Sequence, residues 1–388
     1  MRIFPGIVLA MTAVVLTACS GGGGTSADKT STTTGSTDPT SAVTTTPQQQ
    51  DCAAGYLAQF TQRQKLAQLL TVGVTGAADA ENVVRTEQVG GIFVGGWTDK
   101  AMLGQGQIDR VTAAARTPLM VTVDEEGGRV SRLKDLIGYA PSAREIAQGQ
   151  TMTVDEYYQF SLERGQKMKA LGVTVDFAPD VDVSSQPDDS VIGDRSYSDD
   201  PAVVTEYASA FVRAMQEAGV GTVLKHFPGH GSGSGDSHTD AVRTPPLEQL
   251  QNSDLVPYRE LVGSGAAVMI GHLDVPGLTT PDVPASISPE VMTLLRQGTG
   301  YGAAPFDGVI FTDDLGGMAA ITARMNIADA VEAALVAGAD NALWITTDAV
   351  TQVLDQLEQA VAGGRLPGSQ VDASVLRMAK YKGAAPRC

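Results

Sequence analysis

Residues 203–238 read VVTEYASAFVRAMQEAGVGTVLKHFPGHGSGSGDSH. Over 203–218 the period is helical: Val204, Tyr207, Ala208, Phe211, Met215 and Ala218 recur at three- and four-residue steps, while Arg213 and Glu217 fall on other faces. One stripe packs and the other is wet, as in a helix that covers a scaffold. The run TVLKHF (222–227) then reads as a strand. Packing does not explain the segment at its end. Lys225 to His238 hold three of the chain's four histidines, and Gly229, Gly231, Gly233 and Gly235 let backbone approach a ligand where a Cβ would obstruct it. The order is helix, buried strand, then chemistry at the strand's end.

That unit recurs along the chain. Apolar runs rich in Val and Ile alternate with stretches of helix length: LLTVGV (69–74), GIFVGG (91–96), PLMVTVD (118–124), VTVDFAPD (173–180), TVLKHF, AVMIGHLD (267–274), GVIFTDD (308–314) and ALWIT (342–346). Near-continuous apolar strands of this kind belong to a parallel sheet covered on its outer face. Eight of them favour an α/β fold, a single-domain (β/α)8 TIM barrel over residues 51–388, because an open doubly wound sheet more often stops at fewer strands and carries GxGxxG after the first. No such fingerprint follows Val74.

Polar residues gather where a barrel uses them. Asp124, Asp180, Lys225 with His226, His272 with Asp274, and Asp313 with Asp314 lie at or just beyond strand C-termini, the active face of this fold. A single strand-end aspartate often merely caps the next helix, but five strands ending this way ask for another reason. Asp236 and His238, one residue apart in the glycine-rich loop, form an acid/base unit in which a carboxylate orients an imidazole. Asp313, fixed at a strand end, can attack an electrophilic carbon. An acid for a leaving oxygen and a nucleophile on the opposite face are what glycoside cleavage needs.

The composition agrees. The chain has 388 residues, 43% apolar and 18% charged, enough for one large core, and its net charge of −17 argues against nucleic acid or anionic lipid as the main partner. Aromatic residues make up 5%, which offers no platform for a long polysaccharide and favours a small pocket for a terminal sugar. Trp97 and Trp344 read as packing residues. Residues 19–50 are Gly, Ser, Thr, Pro and Gln with almost no large apolar side chain, a flexible tether. Among the three cysteines, Cys52 opens the folded part and Cys388 ends the chain. The first and last elements of a closed barrel are neighbours, so a Cys52–Cys388 disulfide is expected in an oxidising compartment, the alternative being two unpaired terminal thiols.

Two resemblances extend this reading. Arg2, the apolar Ile3–Val15 stretch and Leu16-Thr17-Ala18-Cys19 resemble a bacterial lipobox. It implies a signal peptide over 1–18, a lipid on Cys19 and a protein held at the extracytoplasmic face of the cell membrane by that anchor alone. The string K-H-F-P-G-H-G-x4-D-S-H, with D-x-E-G-G-R-V-x-R at 124–132 and T-D-D-L at 312–315, resembles the β-N-acetylglucosaminidases of glycoside hydrolase family 3, the NagZ type, over roughly residues 60–380. The secreted actinobacterial lipoprotein branch of that family fits the lipobox too.

The family resemblance implies that Asp313 is the nucleophile and His238 the acid/base, assisted by Asp236. It implies sugar contacts from Asp124, Arg132, Arg195, Lys225 and His226, with Arg129 supporting its loop. The implied reaction is exo-acting and retaining, releasing terminal N-acetylglucosamine from peptidoglycan-derived fragments or muropeptides; such chemistry requires no cofactor, and a monomer is the default expectation. Members commonly carry Gln where this chain has Glu125, and place Met two residues after the leucine, whereas Gly316-Gly317 put Met318 three after Leu315.

Rivals remain at this point. His226, His230 and His238 could ligate zinc, yet Pro228 and Gly229 deny the pair a helix; His230 reads as a loop-ordering hydrogen-bond partner, and His272 reads equally as a structural histidine or a ligand contact. A non-catalytic sugar-binding lipoprotein on the same barrel is the second alternative. A third is phosphorolysis at the same site, since a neutral imidazole repels phosphate less than a carboxylate would.

Overall fold

All eight apolar runs become strands. In the computed structural model, which describes residues 47–386, they are β1 Leu70–Gly73, β2 Gly91–Val94, β3 Met120–Val123, β4 Val175–Asp176, β5 Gly221–Phe227, β6 Ala267–Ile270, β7 Ile310–Asp314 and β8 Asn341–Trp344. Each pairs in parallel with its sequence neighbours, and β8 pairs with β1 to close the barrel. Every residue of β1, β2 and β3 is buried, which is why these strands read as unbroken apolar runs. The expected signal peptide, Cys19, the first part of the tether and Cys388 lie outside the described residues.

Two strands fall well short of their runs. The run 173–180 gives only Val175–Asp176, since Pro179 has no N–H for the ladder; Asp180 returns as an isolated parallel bridge to Lys225. The run 267–274 leaves the barrel after Ile270, and Leu273–Asp274 pairs instead with Val242–Arg243 beyond the histidine loop. The helix expected at 203–218 spans Pro201–Glu217, capped by Asp200 with proline in its first turn. Val204, Ala208, Phe211 and Met215 are buried as the stripe requires, and Ala210, Val212 and Ala214 are buried as well because the helix also packs against Val154–Ala170.

The tether boundary at residue 50 shifts. A helix already spans Pro47–Leu57, with proline preset for a first helical turn and glutamines that tolerate helix well. Cys52 on this helix is disulfide-bonded, and the two other cysteines lie outside the described residues. Pro47–Leu57 packs against Gly368–Tyr381, a helix that closes the strand-start end of the barrel. From it Ser374 Oγ donates to Asp340 Oδ1 at 2.7 Å, Tyr381 OH to the Thr222 carbonyl at 2.9 Å, and just beyond it Lys382 Nζ to Gln68 Oε1 at 2.6 Å. Aromatic rings run up the barrel from there: Tyr381 to Phe311 at 6.1 Å, Phe311 to Phe177 at 5.3 Å, and Phe177 to Phe93 at 5.8 Å between centroids. The other end stays open for the site. Among the described residues no helix is long and apolar enough to cross a membrane.

Candidate active site

Asp124, Arg132, Arg195, Lys225, His226, His238 and Asp313, all singled out from sequence, line one cavity of about 280 Å³ at the strand C-termini. Asp236 stands behind His238 rather than in the lining. The fold therefore gathers side chains from β5, β7 and the loops after β3, β4 and β5, as a barrel mouth does.

Its floor is a charge network. Lys225 Nζ donates to Asp124 Oδ1 at 2.8 Å and to Glu126 Oε1 at 2.6 Å, and Arg195 grips both Glu126 oxygens at 2.8 and 2.9 Å. Burial alone would neutralise Glu126, but Arg195 and Lys225 hold its carboxyl well below the usual range. Lys225 would likewise lose its proton on burial, and Asp124 with Glu126 raise it instead. Both cations therefore stay charged, pinned by acids, and can present N–H groups to sugar hydroxyls with little rotamer entropy left to lose. Glu126 belongs to the D-x-E-G-G-R string, yet sequence reasoning assigns it no role; its partner Arg195 lies 69 residues away, beyond any local spacing signal.

His226 has its Nδ1 at 2.7 Å from Asp182 Oδ2. Burial, then the Arg195 charge, push its pKa down, so its ring is neutral at neutral pH. Asp180, Asp182 and His226 bring possible ligand atoms within 4.8 Å of one another, but the set is a poor fit to a cation. Arg195 Nη2 lies 3.4 Å from Asp180 Oδ2 and already supplies positive charge there, while Asp182 Oδ1 accepts the His230 N–H at 2.6 Å. The zinc trio of His226, His230 and His238 is not a ligand cluster among the described residues. His230 orders the loop through that N–H, as expected. His272 is structural too, its ring held between Ser286 Oγ at 2.7 Å and the Asp314 carbonyl at 2.8 Å.

The adjacent aspartates at the end of β7 differ physically. Asp314 Oδ1 accepts the Gly316 N–H at 2.8 Å, and burial pushes this carboxyl up to about 6. Asp313 lies below the ordinary range: burial opposes its ionisation, and the His226 and His272 rings, the Asp314 N–H at 2.9 Å and Lys225 outweigh it. Both imidazoles are themselves lowered by burial, so at neutral pH the Asp314 N–H and Lys225 carry the effect. Asp313 is therefore the ionised carboxylate of the pair at neutral pH.

His238 enters from the loop after β5. Asp236 Oδ1 receives the His238 backbone N–H at 2.9 Å and the ring Nδ1 at 2.7 Å, which leaves Nε2 for the cavity. Burial would raise Asp236, and these two hydrogen bonds lower it instead, so it stays ionised beside the ring. The loop is seated: Gly231 O accepts Ser184 Oγ at 2.8 Å and Gly233 O accepts Gln186 Nε2 at 3.0 Å. Further along, Ser237 O accepts the Ala320 N–H at 3.1 Å, and Ser237 Oγ meets Met318 Sδ at 3.6 Å. Met318, the residue displaced by the extra glycine, thus packs under the histidine loop and lines the cavity. At Gly229, φ is +133° and a Cβ would collide with Asp254, so the turn into the loop requires glycine.

One departure from the family pattern finds its reason here, and one expectation needs adjustment. Glu125 faces away from the sugar cavity: its carboxylate accepts from Ser131 Oγ, the Arg132 and Leu133 N–H groups, and Arg164, all at 2.6–2.7 Å. It braces the turn that presents Arg132, a task for which two acceptor oxygens suit better than an amide. Trp97 is not a core residue: it is 49% exposed and lines the cavity, because Gly95 and Gly96 place it on the mouth rather than under it. Trp344 is buried, as expected, with Nε1 donating to the Asp348 carbonyl at 3.3 Å. Arg129 supports its loop, pairing with Asp194 at 2.8 Å and donating to the carbonyls of Val191 and Ile192.

Comparison with known proteins agrees with the geometry. The profile of the glycosyl hydrolase family 3 N-terminal domain matches residues 61–381. The chain is 56% identical over 337 residues to beta-hexosaminidase LpqI of Mycobacterium tuberculosis, covering 86% of each chain. A crystal structure of a family 3 glycosyl hydrolase from Mycobacterium smegmatis superposes with a TM-score of 0.82 at 59% identity, over 86% of this chain and 99% of that one. A family 3 β-N-acetylglucosaminidase from a Paenibacillus species gives a TM-score of 0.76 at 32% identity, over 84% of this chain and 63% of that one. With the match running across nearly all of the barrel and the motif side chains meeting in one cavity, the chain belongs to glycosyl hydrolase family 3 and is a glycoside hydrolase.

Proposed function

We propose that this enzyme is an exo-acting, retaining β-N-acetylhexosaminidase that removes terminal β-linked N-acetylglucosamine from peptidoglycan-derived fragments. The observation that carries the reading is an ionised Asp313 in the same small cavity as the free Nε2 of an Asp236-held His238. The similar beta-hexosaminidase of M. tuberculosis and the β-N-acetylglucosaminidase of Paenibacillus support the substrate class.

In the first step Asp313 attacks the anomeric carbon, the bond from that carbon to the aglycone oxygen breaks, and the departing oxygen takes the proton of His238 Nε2. In the second, neutral Nε2 takes a proton from water, the water oxygen bonds to the same carbon, and the ester to Asp313 breaks. Two inversions retain the configuration. Lys225, Arg195, Asp124 and Arg132 hold the sugar's hydroxyl and acetamido groups through the charged floor. A cavity of about 280 Å³ closed below by barrel core suits a single terminal ring. The chemistry needs no cofactor. The natural setting that fits the lipobox is the outer face of the cell membrane, with a monomer anchored through Cys19.

The test is 4-nitrophenol release from the β-N-acetylglucosaminide and the β-glucoside, with chelator present and the first-formed anomer followed by proton NMR. Rapid release from the first substrate only, with the β-anomer appearing first, supports the reading. Initial α-anomer would overturn retention, and no release from the first substrate would overturn the activity.

A further inference from the structure

We propose that Trp97 is the platform of an aglycone subsite, stacking the pyranose ring that follows the scissile oxygen in a second cavity beside the one that holds Asp313. This deepens the reading above and rests on it. The second cavity, of about 360 Å³, lies over the loops that follow β1 and β8, and Trp97 and Ile345 line both it and the cavity of Asp313. A β-linked substrate cleaved by Asp313 keeps its terminal ring on one side of the scissile oxygen and its next residue on the other. The shared wall is where that next residue must pass.

The indole is fixed for the task. A Cβ on Gly95 would collide with Cη2, Cζ2 and Cζ3 of Trp97, so the benzo ring sits directly against Gly95, which only glycine allows. Phe93 flanks it with centroids 5.9 Å apart. The turn beneath is tied down: Gly95 N donates to Thr98 Oγ1 at 3.0 Å, Thr98 Oγ1 to the Val74 carbonyl at 2.6 Å, and Lys100 Nζ to the Gly95 carbonyl at 2.6 Å. One side of the ring is thus occupied by protein, yet 49% of the residue remains exposed. A rigid aromatic with one open side offers contact area at low entropy cost, and the C–H face of a pyranose is the sugar surface that matches it.

The rest of the wall sets the ligand class. Thr75, Thr346 and Thr347 bring hydroxyls, and no Lys or Arg lines this cavity. Asp79 accepts from Thr75 N at 2.8 Å and from Thr347 Oγ1 at 2.8 Å, so it holds two loops together, while Asp348 is exposed at the rim. A pyranose ring with hydroxyls suits this lining, and an acidic substituent on that ring faces solvent rather than Asp79 and Asp348.

The experiment compares N,N′-diacetylchitobiose, whose aglycone is a sugar, with N-acetyl-β-glucosaminyl azide, whose leaving group has no ring, in the full chain and its Trp97→Ala and Trp97→Phe variants. The proposal expects kcat/KM on the disaccharide to fall about tenfold in Trp97→Ala and less in Trp97→Phe, and in each variant to fall severalfold further than kcat/KM on the azide. Trp97→Phe keeps a ring against Gly95, so a misfolded alanine variant leaves the phenylalanine ratio to decide. Equal losses on both substrates would make Trp97 a wall of the terminal-sugar cavity and overturn the proposal, as would no loss on either. A parent enzyme inactive on both substrates would instead sink the hexosaminidase reading, and the subsite with it.

Discussion

The backbone N–H of Ala320 donates to the Ser237 carbonyl at 3.1 Å. Through this bond the loop that carries His238 rests on the segment immediately following the strand of Asp313. Asp313 and His238 come from distant parts of the chain, but β7 and its continuation hold both, so their relation depends on few intervening elements. The behaviour expected of variants at either residue rests on that arrangement.

Replacing Asp313 by Asn removes the anionic oxygen, and kcat/KM on the 4-nitrophenyl substrate should fall by about 10³-fold or more with an unchanged melting temperature. Asp314→Asn is the contrast, because an amide oxygen can still accept the Gly316 N–H; that variant should stay within about tenfold of the parent. Comparable losses in the two variants would contradict the assignment.

His238→Ala should cost about 10²- to 10⁴-fold on a disaccharide, whose leaving oxygen needs a proton, and much less in the first turnover of the 4-nitrophenyl substrate. Pre-steady-state release of 4-nitrophenol followed by a slow phase would mark a glycosyl-enzyme waiting for its base. Asp236→Asn should show the same pattern with smaller losses, since the ring loses its carboxylate partner but not its place.

Glu125 and Arg164 form a buried pair at 2.6 Å. Glu125→Ala leaves the guanidinium uncompensated and should destabilise the protein by about 3–5 kcal/mol in urea unfolding. Glu125→Gln keeps the shape but weakens the charge-assisted bonds, for about 2 kcal/mol. In both variants KM should rise more than kcat falls, because the turn that loosens presents Arg132.

Asp254, packed on Gly229 beneath the histidine loop, is pushed by burial from 3.8 up to about 7. A carboxyl raised on folding stabilises the native state fully only below its unfolded value, and that contribution disappears as pH rises through the folded one. Over pH 4 to 7 this group therefore subtracts about 1.4 kcal/mol per pH unit at most. Asp254→Asn should melt above the parent at pH 8, with the gap narrowing steadily towards pH 4. A pH-independent gap would show that Asp254 does not titrate in this window.

The barrel is legible in the sequence because strands buried on both faces leave unbroken apolar runs, and polar residues at their ends have no packing reason to be there. Asp124, Lys225 and Asp313 stand out on that ground. Strand limits are less visible: Val175–Asp176 is short because Pro179 cannot donate, a local effect hidden inside a convincing run. Glu126 escapes notice because its meaning lies in Arg195 and Lys225, residues joined to it only by closure of the barrel. Composition misplaces Trp97, although Gly95-Gly96 just before it carries a usable signal, since an aromatic that lies against backbone needs glycine beneath it.

The helix Gly368–Tyr381 stops the strand-start end of the barrel, and Pro47–Leu57 lies against it. The first described helix thus lies at the back of the barrel, like a handle on the base of a cup. A bead, an electrode or a fusion partner joined ahead of Pro47 would attach at the sealed end, so immobilising the enzyme this way leaves its open end clear for incoming glycan.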